Sequence, residues 1–149
     1  MQPERHADSI AGIAQALRPA LRVGLRVGRL HSCRRLLDLD VVQQRARDPS
    51  NPESLAYALE SVLRDALHAL GDGPYGRAAR LLFGAVPDTR GRPLYDRRRL
   101  AAEQLDMLPT TFRQNWEPEF LIDIAAEIAR PSHQAHSERG PPLPPRPAA

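Results

Sequence analysis

The chain has 149 residues and a net charge of +3, with 21 Arg, no Lys and 18 acids. That length suits one domain, or a small domain with tails, and so mild a charge excludes a dedicated nucleic-acid coat. Aromatics are only 5% and Cys33 is the single cysteine, which excludes an internal disulfide framework and leaves a core of Leu, Ala, Val and Ile.

The charge is segregated along the chain. It is net +5 over 1–47, −4 over 48–72, +5 over 73–100 and −4 over 101–130. Such blocks predict a folded protein with basic and acidic faces, or a partner of opposite sign. An all-Arg cation set agrees with codon bias from a GC-rich genome as well as with selection for bidentate forks. The opening MQPERHADSI lacks the charged start and apolar core of a secretory leader, and no run reaches the ~20 apolar residues of a membrane helix. With one cysteine, a cytoplasmic location is the expectation.

Residues 7–30 carry Arg18, Arg22, Arg26 and Arg29 on one helical stripe, beside Ile10, Ile13, Leu17, Leu21 and Leu25. That pattern predicts a basic amphipathic helix, weakened by Pro19, Gly24 and Gly28. Over 34–47 the apolar residues are too clustered for one clean period, so a short helix or an extended connection is expected. The helix predicted over 52–70 is the clearest: Asn51 caps it, Pro52 suits its first position, and Gly71 stops it. Leu55, Leu59, Val62, Leu63, Ala66 and Leu70 share its apolar face. GDGP turns the chain into a short helix over 75–83 ended by Gly84, and the Pro- and Gly-rich 85–94 is a linker. A last helix over 117–129 has Phe120, Leu121, Ile124 and Ile128 on its apolar face and carries Glu117, Glu119, Asp123 and Glu127. Residues 131–149 contain PPLPPRP and little apolar bulk, which predicts a disordered, polyproline-rich tail.

The fold class expected is all-α: a small helical bundle containing a trihelical unit, with no sheet. Its divisions are an N-terminal basic helix at 1–33, a helical domain at 34–130 with the trihelical unit at 95–129, and the tail at 131–149. No nucleophile elbow, HExxH, phosphate loop or cysteine pair occurs, so a non-enzymatic protein without cofactor or metal is expected. His31 with Cys33 and His133 with His136 are chance neighbours on this reading, and Asp38 and Asp40 are helix-end or turn residues. PPLPPR fits a ligand for an aromatic-lined groove, and with the acidic helix 117–129 it is the place to expect a protein partner.

The stretch Arg97–Trp116, RRRLAAEQLDMLPTTFRQNW, concentrates the remaining signal. A helix-turn-helix needs a small residue where its two helices touch and a buried apolar residue about ten positions on. Ala102 and Phe112 have that spacing, with Leu105 and Met107 between them. Pro109 pre-sets the first turn of a second helix. Within this stretch LAAEQLDMLPTTFRQ resembles the helix-turn-helix superfamily. The resemblance implies a second helix in the major groove of double-stranded DNA. Thr110, Arg113 and Gln114 would then face base edges, and Arg97, Arg98, Arg99 and Thr111 would lie nearer phosphates. Two positions depart from the pattern: Asp106 stands where the turn usually has glycine, and Leu108 stands where a capping Ser or Thr is usual. The wider run GPYGRAARLLFG, TRGRPL, RRRLAAEQL and TFRQNWEPEFL resembles a small helical domain of actinobacterial proteins, often joined to other modules, which suits an adaptor as well as a free-standing transcription regulator.

Overall fold

Asn51 and Pro52 start the longest helix as local chemistry requires. Asn51 Oδ1 accepts from the Glu53 and Ser54 N–H groups at 2.9 and 3.4 Å, and Pro52 occupies the first turn, where no intrahelical donor is missed. The computed structural model describes residues 9–130, and among these the fold is all-α, with no strand. The helices are α1 (Ile10–Val23), α2 (Val27–Leu30), α3 (Arg34–Leu37), α4 (Asp40–Arg45), α5 (Pro52–His68), α6 (Pro74–Leu82), α7 (Leu94–Gln104), α8 (Pro109–Thr111) and α9 (Glu117–Ile128).

α1 and α9 pack along each other, as do α6 and α7; α5 is covered by α2 and α4 and touches α9. The core is one cluster of small and branched side chains, including Leu17, Ala20, Leu36, Leu59, Leu63, Ala79, Ala101 and Ile124, with Phe83, Phe112 and Phe120 as its large members. α1 is therefore no appendage: Ile13, Leu17 and Leu21 are buried in the same core as α9. A boundary at 33/34 does not separate structural units. The tail expected at 131–149 lies outside the described residues.

One helix breaks where periodicity predicted continuity. The single helix expected over 7–30 ends at Val23, because Gly24 turns the chain with φ +84°. The next N–H, of buried Leu25, donates to Phe83 O at 2.9 Å and joins the ends of α1 and α6. Residues 34–47 form two short helices, since Leu36, Leu37, Leu39 and Val42 are all buried. No straight helix points that cluster to one side.

One break is missing where two helices were expected. α8 runs into α9 through a π turn at Phe112–Trp116, in which the Glu117 N–H donates to Phe112 O, five residues back. Pro118 accounts for it. Its ring has no N–H and clashes with the carbonyl four residues earlier, so the helix widens rather than stops. The wider turn also aligns the core. Eight residues of regular helix would set Phe112 and Phe120 about 80° apart around the axis, and one extra residue reduces that to about 20°. Both rings are fully buried, with centroids 5.5 Å apart. Tyr75 of α6 stacks on Phe120 at 4.3 Å and donates its hydroxyl to Asp123 Oδ2. Burial first, then Asp123, holds that phenol above its ordinary pKa. Trp116, half-buried, closes the group with its ring centroid 6.2 Å from that of Tyr75.

Candidate nucleic-acid interface

The unit formed by α7, the turn at 105–108 and α8 is built on the Ala102–Phe112 spacing. Both side chains are fully buried. α7 stops in a Schellman arrangement: the Met107 N–H donates to Ala102 O, and the Asp106 N–H donates to Glu103 O, both at 3.0 Å. This requires a left-handed residue at Asp106, which has φ +57° and is the one non-glycine residue with positive φ among the described residues. Aspartate enters that region more readily than most side chains. Leu108, by contrast, makes no side-chain cap and is 71% exposed. Thr110, Thr111, Arg113 and Gln114 are exposed at the start of the second helix. Glu103, Asp106 and Glu119 are exposed acids of the same region.

Arg97 is not near solvent. It is 1% exposed, and its guanidinium donates to four backbone carbonyls. Nε meets Arg92 O, Nη1 meets Leu21 O and Leu82 O, and Nη2 meets Arg22 O, at 2.5–2.9 Å. Leu21 and Arg22 lie in the last turn of α1, and Leu82 ends α6. Each helix C-terminus carries roughly half a negative charge, so two of them together offset one buried cation. Burial still lowers the Arg97 pKa, with Arg98 adding to the effect and Glu117 opposing it. The two glycines that end these helices make the room. A Cβ on Gly24 would stand 3.6 Å from Arg97 Cζ, and one on Gly84 would stand 3.3 Å from Cδ.

The expectation of three arginines facing phosphates is therefore corrected. Arg97 is occupied by carbonyls. Arg98 grips Glu117 through Nε and Nη2 at 2.7 and 3.1 Å, with the Glu117 side chain only 7% exposed. That fork ties α7 to the first residue of α9. Arg99 pairs with Glu103 one turn on, at the surface. The acids of the last helix are likewise engaged in part: Asp123 accepts from Tyr75 and Glu127 pairs with Arg130. The capping role of Arg97 had one legible signal, an arginine following a glycine- and proline-rich linker, but nothing local identifies its acceptors.

Elsewhere, Cys33 is a buried thiol, and burial raises its pKa against the hydrogen bond with Ser32. His31 is exposed; His133 and His136 lie outside the described residues. Among the described residues no group of three or more His, Cys, Asp or Glu side chains could hold a metal, and no helix is long and apolar enough to cross a membrane. A groove of about 570 Å³ runs between the α4–α5 loop and α5, with Arg45, Asn51, Ser54, Tyr57 and Ser61 on its walls. The chain matches no family model, no curated protein and no solved structure.

Proposed function

We propose that the chain is a non-enzymatic, DNA-binding regulatory protein of helix-turn-helix type, with the start of α8 as the element that enters the major groove. The observation that carries this reading is the α7–turn–α8 unit. A left-handed residue sits between two helices that are locked by buried Ala102 and Phe112. A polar face of Thr110, Thr111, Arg113 and Gln114 is left in solvent. Arg113 is suited to guanine and Gln114 to adenine, each through two hydrogen bonds, with Thr110 beside them and Thr111 nearer the phosphates. Arg97 and Arg98 take no part. A reducing, cytoplasmic setting goes with the free thiol of Cys33.

A second reading, a protein-interaction or adaptor module without DNA contact, is favoured by Leu108. A leucine 71% exposed at the tip of the unit, beside Asp106, suits a protein partner better than a phosphate backbone. Titration of mixed duplex DNA at about 50 and about 200 mM salt separates the two. DNA binding with a clear salt slope, and loss of sequence preference in Arg113→Ala, are the expected results. Absence of binding at the lower salt removes the DNA reading and leaves the adaptor.

A further inference from the structure

Arg97 gathers more than carbonyls. The residues it clamps carry exposed arginines of their own. Arg22 O and Arg92 O both accept from its guanidinium at 2.9 Å, while the side chains of Arg22 and Arg92 are exposed. The Leu25–Phe83 hydrogen bond fixes the next residue, Arg26, against the same junction. Gly91, with φ +80°, turns the loop beside Arg26, and a Cβ there would be in ordinary contact with Arg26 Nη1, at 3.8 Å. Arg90 is exposed on the other side of that glycine. The backbones of Arg22 and Arg92 are thus held together at Arg97, and the Arg26 guanidinium lies beside Gly91, between Arg90 and Arg92, so that four exposed arginines from the end of α1, the α1–α2 turn and the 85–93 loop belong to one junction at the start of α7.

None of the four has an acidic partner among the described residues. The ion pairs there use Arg45, Arg64, Arg98, Arg99 and Arg130. The nearest acids in sequence are Asp88 and Asp96, and Arg92 Nε meets the backbone carbonyl of Asp88, not its carboxylate. Like charges held together without counter-charges raise the free energy of the folded state until an anion neutralises them.

We infer that Arg22, Arg26, Arg90 and Arg92 form a binding surface for the phosphodiester backbone of a nucleic acid. Guanidinium forks match phosphate oxygens two at a time. A lipid surface would need several exposed apolar anchors; among the described residues the large exposed aliphatic side chains are Ile10 at the start of α1, Leu108 beyond the end of α7 and Ile122 in α9, and the one large apolar side chain exposed at the start of α7 is Tyr95. A protein partner would need an apolar centre inside a polar rim, which these four arginines do not enclose. α7 has 11 residues and so is about 16 Å long. The patch is thus set well apart from the start of α8, and it takes the phosphate-holding role that Arg97 and Arg98 cannot fill. The surface stands whether or not α8 reads bases.

The test is a fluorescence-anisotropy titration of the full chain with a short mixed-sequence duplex and with single-stranded RNA, at about 50 and about 200 mM salt. Arg26→Gln/Arg92→Gln is expected to weaken binding about 10-fold or more at the lower salt and to reduce the salt slope by about 1.8. Unchanged thermal unfolding shows that the variant is folded; if it is not, Arg90→Gln, on the loop, is expected to weaken binding and lower the slope by about 0.9. RNA binding that is sensitive to these changes, without duplex binding, keeps the surface and removes the duplex reading. Duplex binding insensitive to them removes the surface and leaves the duplex reading. Binding only to anionic vesicles, or to no polyanion, overturns the surface.

Discussion

Arg97 donates to carbonyls from three separate segments, and each of those oxygens loses its partner if the side chain is removed. A buried acceptor without a donor costs ~1–3 kcal/mol, so Arg97→Ala is expected to destabilise the fold by about 4 kcal/mol or more, as read from urea denaturation. Arg97→Lys keeps the charge but replaces a planar fork by a single ammonium. It is expected to cost about 2 kcal/mol. Equal midpoints for the wild type and Arg97→Lys would mean that the fork geometry contributes nothing. The sequence gives the arginine and its neighbours in the chain, but its acceptors are backbone oxygens as far as 76 positions away. Carbonyls carry no residue identity, so a reading of side-chain types places Arg97 with Arg98 and Arg99 on one basic surface. Glu117 is the same case: its partner is 19 positions back, and without it the side chain looks like a solvent acid.

Helices, in contrast, are set largely by near neighbours, and most were legible. The cap at Asn51, the prolines at first positions and the glycines at helix ends act within a few residues. What was not legible is the joining of α8 to α9, because Pro118 breaks a regular helix and only the buried Phe112–Phe120 pair selects the wider turn. The turn at Asp106 lies between these cases: the position is visible from the Ala102–Phe112 spacing, while its left-handed backbone follows from the Schellman hydrogen bonds. Glycine has no steric penalty there. Asp106→Gly is therefore expected to raise stability by about 0.5–1 kcal/mol, seen as a higher thermal midpoint. It also removes an anion from the candidate DNA face, so duplex affinity should rise rather than fall. A lower midpoint would mean that the Asp106 side chain makes a contact of its own.

At the scale of the whole molecule, α1 supplies one wall of the core and two of the acceptors of Arg97. A chain lacking residues 1–33 loses Leu17, Leu21, Leu25 and Leu30, all buried, and exposes the α9 face that packs on α1. It is expected to show no cooperative unfolding transition by circular dichroism. A truncated chain with a sharp transition would restore the division at 33/34. The charge blocks of the sequence acquire a physical meaning at this scale. The basic blocks 1–47 and 73–100 meet at the junction of α1 with the 85–93 loop, whereas several acids of the other two blocks, Glu60, Asp65, Glu103 and Glu127, are matched within the fold. Alternation along the chain thus becomes a surplus of positive charge at one junction.

The clamp on α1 also has a temporal side. During synthesis the carbonyls of Leu21 and Arg22 emerge 76 and 75 residues ahead of the guanidinium that will cap them. At roughly 5–20 residues per second, the end of the first helix waits on the order of 4–15 seconds for its partner. The cap on that helix end is completed only once α7 has been made.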